Sequence, residues 1–168
     1  NVNITISTFV PKAHTPFLWE PMISLERIKE IKRIIMDKIR HRRIRVKFNK
    51  PERSILEGIF ARGDRRLGQV ILHAWQDGCR FDSWDDHFDY NKWKIAFEKA
   101  GLDENFYLSR ERREGEVLPW EHLNCGLIKE FLIKERKRSF EQEFTPDCFT
   151  DDCPDCGACA RSEHYVKN

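Results

Sequence analysis

Four cysteines fall within the twelve residues from Cys148 to Cys159, spaced C-x4-C-x2-C-x2-C. No other feature constrains the chain as strongly, because thiolates this crowded carry too much like charge to lie together without a cation. Thiolates two residues apart can converge on one centre, since the intervening turn points both sulfurs the same way. Gly157 supplies backbone freedom between the last two, and Pro146 and Pro154 stiffen the approach. The segment therefore reads as metal-binding, with Cys148, Cys153, Cys156 and Cys159 as ligands. Structural zinc sites usually set two C-x2-C knuckles well apart. Consecutive C-x2-C-x2-C instead fits the runs that hold iron–sulfur clusters. An iron–sulfur cluster, of the [4Fe–4S] type, is the expectation, and zinc is the alternative. His164 is either a ligand substituting for one of the cysteines or an exposed tail histidine.

The surroundings narrow the class. Residues 141–157 hold six Asp or Glu and no Lys or Arg. That composition disfavours a nucleic-acid zinc knuckle, which needs basic residues near phosphates. A secreted disulfide framework would spread its cysteines along a loop-rich chain. Here they are bunched, and the two isolated ones, Cys79 and Cys125, read as buried hydrophobes. Reduced thiols holding a metal point to the cytoplasm. No apolar run approaches the roughly 20 residues of a membrane span. With twelve Phe and five Trp in 168 residues, the chain has the material for a packed core and is no disordered tail. It opens on Asn1, inside what reads as a strand, so it is expected to be the C-terminal piece of a larger protein.

Periodicity suggests the elements. Residues 2–9 alternate, with Val2, Ile4 and Ile6 on one face and Asn3, Thr5 and Ser7 on the other. Pro11 and Pro16 end that strand. Ser24 caps a helix in which Leu25, Ile28, Ile31, Ile35 and Ile39 recur at helical spacing, with the helix reaching to about residue 41. Ile44, Val46 and Phe48 then alternate with Arg43, Arg45 and Lys47, a second strand ending before Pro51. Helical patterning resumes at Ser54 and breaks at Gly63. Asp64 caps a helix carrying Leu67, Val70, Ile71, Ala74 and Trp75, with Gly78 closing it. After the acidic, aromatic loop FDSWDDHFD, Asp89 caps a helix with Trp93, Phe97 and Ala100, ended by Gly101. A last helix runs from about Leu127 to Phe140, and the cysteine segment starts at Thr145-Pro146.

Four stretches carry a resemblance. Residues 6–22 (ISTFVPKAHTPFLWEPM), 59–85 (IFARGDRRLGQVILHAWQDGCRFDSWD) and 118–131 (LPWEHLNCGLIKEF), with the TPDC…CPDCGAC ending, resemble the C-terminal part of a bacterial radical-SAM family. That family carries a cobalamin-binding-like N-terminal domain. The resemblance implies that residues 1–42 are the last strand and helix of a radical-SAM (β/α) barrel. Residues 43–145 would be an α+β accessory region, and 146–164 the four-cysteine segment. Asn3, Thr5 and Ser7 would then line the barrel toward S-adenosylmethionine and substrate; otherwise they are the solvent face of an edge strand. The partners implied are the upstream barrel and the cobalamin-binding-like domain of the same protein. The family's catalytic cluster is held by C-x3-C-x2-C, and no such spacing occurs here. Any cluster at 148–159 is therefore expected to be auxiliary, serving substrate binding or electron relay, and the chain alone is expected not to cleave S-adenosylmethionine.

Other residues invite functional readings. Arg62, Arg65 and Arg66 in RGDRR either clamp an anion at a helix N-terminus or pair with acids such as Asp82, Asp85 and Asp86. Trp75, Trp84, Trp93 and Trp120 read as core anchors in preference to base-stacking platforms. His87, Glu121 and His122 have acid–base chemistry but no partner in sequence. Residues 24–50 hold eleven Lys or Arg against three acids. That charge reads as a solvated face or an interdomain seam, and it is what favours the rival function, a zinc-stabilised interaction or RNA-binding module. The fold expected is α+β and mostly helical.

Overall fold

The computed structural model describes residues 1–148, 150–151 and 153–161. Among them it shows a mostly helical α+β architecture with one two-stranded sheet. The chain forms two compact units. The larger comprises residues 1–11 and 21–111; the smaller comprises residues 12–20 and the chain from Arg112 onward.

The larger unit opens with a βαβ unit. β1 (Val2–Ile6) and β2 (Ile44–Phe48) pair in parallel, Val2 opposite Ile44 and Ile6 opposite Phe48. The crossover is α1 (Leu25–Lys38), capped as its sequence suggests: the Arg27 N–H donates to Ser24 Oγ at 3.2 Å. Its inward stripe is Leu25, Ile28, Ile31 and Ile35, while Ile34 and Met36 face solvent. In the sheet, Ile4, Ile6, Ile44, Val46 and Phe48 are half-buried; Asn3, Thr5, Arg45 and Lys47 are exposed. Position 42, where the barrel-end reading sets a boundary, lies within this single βαβ unit.

Helices then build the core. α2 (Pro51–Arg62) begins three residues before the Ser54 expected, because Pro51 occupies the first helical position, where its missing N–H costs nothing. α3 (Leu67–Gln76) packs on α4 (Tyr90–Ala100), and α5 (Glu104–Leu108) packs on α2. Asp89 caps α4 by accepting from the Asn91 N–H at 2.9 Å, and Gly101 closes it at φ +63°. Asp64 does not itself cap α3. It accepts from the Arg66 N–H at 2.9 Å and so turns the chain into the helix two residues early. Ile55 and Ile59 of α2, Val70 and Ala74 of α3, Trp93 and Phe97 of α4 and Tyr107 of α5 form one buried cluster with Met22 and Ile28.

The smaller unit holds α6 (Lys129–Glu141) and a second cluster of Leu18, Trp19, Leu118, Trp120 and Leu132. The Arg112 N–H donates to the Trp19 carbonyl at 3.0 Å, and Arg136 on α6 reaches both Glu20 and Glu114. These contacts tie residues 12–20 to a partner segment about a hundred positions later. Among the described residues, no helix is long and apolar enough to cross a membrane.

Two tryptophans overturn the core-anchor expectation. Trp93 and Trp120 are buried, but Trp75 is 56% and Trp84 62% exposed. On α3 the stripe Leu67–Val70–Ala74 faces inward, which leaves Ile71, Leu72 and Trp75 on the outer side. Trp75 instead lies under the Arg80 guanidinium, 4.6 Å from its ring centre, and Trp84 meets Phe81 edge-on at 5.8 Å. Ile59 is fully buried and Ile71 is 49% exposed. Ile59→Ala is therefore expected to cost about 2–5 kcal/mol in urea unfolding, whereas Ile71→Ala stays within about 0.5 kcal/mol of the parent.

Candidate functional site

The cysteine segment docks onto the turn that precedes α6. The Ile128 N–H donates to the Cys156 carbonyl at 3.0 Å. Gly157 sits against the same turn: a Cβ there would lie 2.7 Å from the Gly126 carbonyl oxygen and 2.8 Å from Ile128 Cγ2. Its φ of +88° is likewise one that L side chains rarely adopt. Gly157 is thus required twice, for conformation and for space. Gly126 across the contact has a φ of +94°, which favours glycine, but a Cβ there would meet Ala158 Cα only at an ordinary 3.8 Å. Asp155 also has a left-handed backbone, and a 3-10 turn over Ala158–Arg161 follows.

Cys148, Cys153 and Cys159 are exposed and Cys156 is half-buried. The donor set fits a thiolate-liganded metal or cluster, and the thiols are accessible to one. Among the described residues, no three Cys, His, Asp or Glu side chains are gathered into a coordinating group. What the fold contributes is the anchoring of Cys156. His164, Phe149 and Asp152 lie outside the described residues. Cys125, expected to be buried, is exposed in the Asn124–Gly126 turn, because the Gly126 N–H is taken by Asn124 Oδ1 at 2.8 Å and the turn is held at the surface. Cys79 is buried as expected, and burial pushes its thiol up from the ordinary range.

The remaining candidates separate. Asn3 and Thr5 lie on the exposed face of β1, opposite Arg45 and Lys47; Ser7, exposed just past the strand, accepts at Oγ from Asn49 Nδ2 at 3.1 Å. The three arginines have different commitments. Arg62 is 1% exposed and donates from Nε to the Tyr107 carbonyl and from Nη2 to the Arg110 carbonyl, both at 2.6 Å. Arg66 forks onto Asp64, with Nη2 to Oδ2 at 2.7 Å, and holds that carboxyl below the usual carboxylate range. Arg65 is exposed. The acids named for them in sequence go elsewhere: Asp85 pairs with Lys50 and Arg53, and Asp82 accepts from Trp93 Nε1. His87 lies 6.0 Å from the Phe81 ring, and Glu121 pairs with Lys129 at 2.7 Å, which holds its carboxyl below the usual carboxylate range.

No family model, curated protein or solved structure matches the chain.

Sequence reasoning left Trp19 aside except as part of a resembling stretch, yet it is fully buried in the smaller unit. Its position between Leu18 and Glu20, with no helical or strand period around it, gave no signal. The arginine assignments generate a test. Arg62→Leu strands two buried carbonyls and is expected to cost about 2–4 kcal/mol in denaturant unfolding. Arg65→Ala, at an exposed position, is expected to leave the midpoint within error.

Proposed function

We propose that this chain is the C-terminal accessory region of a cobalamin-type radical-SAM enzyme, and that Cys148, Cys153, Cys156 and Cys159 hold an auxiliary iron–sulfur cluster. The observation that carries the metal-site part is the anchoring of Cys156 and Gly157 on the Gly126–Ile128 turn, which gives a thiol-rich loop one fixed point on a folded unit. Support for the radical-SAM part is the set of resembling stretches, together with a parallel βαβ unit whose two strands, among the described residues, pair only with each other. Parallel sheets are seldom so small and are normally buried on both faces, so such a unit suits the end of a larger one. An auxiliary cluster here would assist substrate binding or electron relay. The acidic side chains around it, Asp147, Asp151 and Asp155, would make it harder to reduce.

A second reading has its own observation. Cys153 and Cys156 have the C-x2-C spacing of one knuckle of a structural zinc site, and Asp155 and Gly157 beside them are both left-handed. In that case the chain is a zinc-stabilised interaction or RNA-binding module, and the basic residues Arg43, Arg45 and Lys47 would serve it. Metal analysis after anaerobic purification separates the two: iron with acid-labile sulfide supports the cluster, and zinc alone supports the module. Under either reading, Cys156→Ser is expected to lose the metal while the two hydrophobic clusters stay cooperatively folded. Cys79→Ser is expected to keep full occupancy, and loss of metal there would sink the ligand assignment. With no C-x3-C-x2-C in the chain, reconstituted protein is expected to form no 5′-deoxyadenosine from S-adenosylmethionine above a protein-free control.

A further inference from the structure

One surface of the larger unit is charged without compensation. From Lys38 to Lys50 the chain carries seven Lys or Arg and no acid, although its net charge is only +2. Lys50 is taken by Asp85, and Arg40 lies 4.0 Å from Asp37. Lys38, Arg42, Arg43, Arg45 and Lys47 are exposed, and among the described residues they have no ion-pair partner. The sheet orders this charge. Arg45 and Lys47 lie on the exposed face of β2, with Arg43 exposed just ahead of the strand. Their neighbours across the ladder, Asn3 and Thr5 on β1, are uncharged. We propose that this face binds the phosphate backbone of a single-stranded nucleic acid. The inference rests on the nucleic-acid part of the second reading above, and does not depend on which metal the cysteines hold.

Physical chemistry narrows the partner by steps. Covering Arg45 and Lys47 with an apolar layer would take two cations out of water without a counter-charge. Whatever meets this face must therefore carry negative charge. Alternate residues of a parallel strand are about 6.6 Å apart, so the cations form one straight row on a backbone held by its ladder. A single row can follow one phosphate backbone, whereas a duplex is read by an element that enters a groove. Arginine forks match phosphate oxygens two at a time, which favours phosphate over a diffuse negative surface. Asn3 and Thr5 stand beside the row and can hydrogen-bond to sugars and base edges. No aromatic side chain stands among Asn3, Thr5, Arg45 and Lys47, so bases are not stacked there and binding tolerates any sequence.

The test is fluorescence anisotropy of the full chain, purified with its metal, against labelled poly-uridine about 20 nucleotides long. A Kd of about 1–100 µM is expected at 150 mM salt. The slope of log affinity against log salt is expected near about −2, for three phosphates at about 0.7 each. Arg45→Gln with Lys47→Gln is expected to weaken binding at least about fivefold and to flatten that slope by about 1.4. Both positions are exposed, and the urea midpoint checks that the variant folds as the parent does. Lys134→Gln with Lys137→Gln removes the same charge from exposed positions of α6 and is expected to keep the parent's affinity within about twofold. The proposal is overturned if poly-uridine fails to bind up to about 500 µM chain, or if the α6 variant weakens binding as much as the β2 variant. It is equally overturned if a duplex binds more tightly, or if polyglutamate displaces the label as well as unlabelled poly-uridine does. Metal content of the same sample decides the zinc question by itself, so failure of nucleic-acid binding and failure of the zinc reading are told apart.

Discussion

Arg62 carries a positive charge at 1% exposure, and the helical packing of the larger unit is arranged around it. A guanidinium out of water is tolerable only when its donors are met. Here the last residue of α2 reaches the carbonyls of Tyr107, inside α5, and of Arg110, just beyond it. The charge is thereby shared with backbone dipoles that a short helix would otherwise leave unsatisfied at its end. α5 spans five residues, too few to be stable by itself, and this contact together with the burial of Tyr107 and Leu108 accounts for its presence. The Tyr107 hydroxyl in turn approaches Asp64 at 3.5 Å, and Asp64 holds Arg66. The RGDRR sequence is thus drawn into the fold at both ends, and only its middle arginine, Arg65, remains exposed without a structural assignment.

In the smaller unit the corresponding constraint is steric. Gly157 lies so close to the Gly126 carbonyl and Ile128 that a side chain there has no room, and the Cys156 carbonyl takes the N–H of Ile128, the residue from which α6 departs. The cysteine segment is therefore coupled to the start of a helix through main-chain atoms, which are harder to displace than side chains. A metal bound through Cys156 would act on a fixed point, while Cys148, Cys153 and Cys159 have exposed positions from which to close around it.

Much of the local structure was legible in the residues. Ser24 and Asp89 cap where their chemistry says they should, Gly101 terminates α4, and the isoleucine period of α1 faces inward as written. What escaped the sequence depends on contacts between distant positions. α5 is too short to show a period. Apolar residues flank both sides of the α3 stripe, so periodicity alone did not reveal that Trp75 faces outward. Arg62 reads as a surface residue until the carbonyls 45 and 48 positions later are placed around it. For the candidate site, spacing named the four thiols, but the docking of Gly157 on Gly126 joins residues 31 apart and leaves no local trace. Cys125 was misread because burial of cysteine is a tendency of composition, whereas its exposure follows from the asparagine turn around it.

The chain path through the smaller unit has a consequence for synthesis. Residues 12–20 belong with the segment that starts at Arg112, so their partners are made only after the ninety-one residues of 21–111 have left the ribosome. In that interval Leu18 and Trp19 have neither Leu118, Trp120 and Leu132 to pack on nor the Arg112 N–H to bond. Two bulky apolar side chains thus stay uncovered while the intervening helices can already collapse around their own core. The larger unit can be finished early, whereas the smaller one can close only from its C-terminal side. Translation speed and chaperone access near residues 112–132 consequently bear on the yield of folded chain more than they would for a contiguous domain.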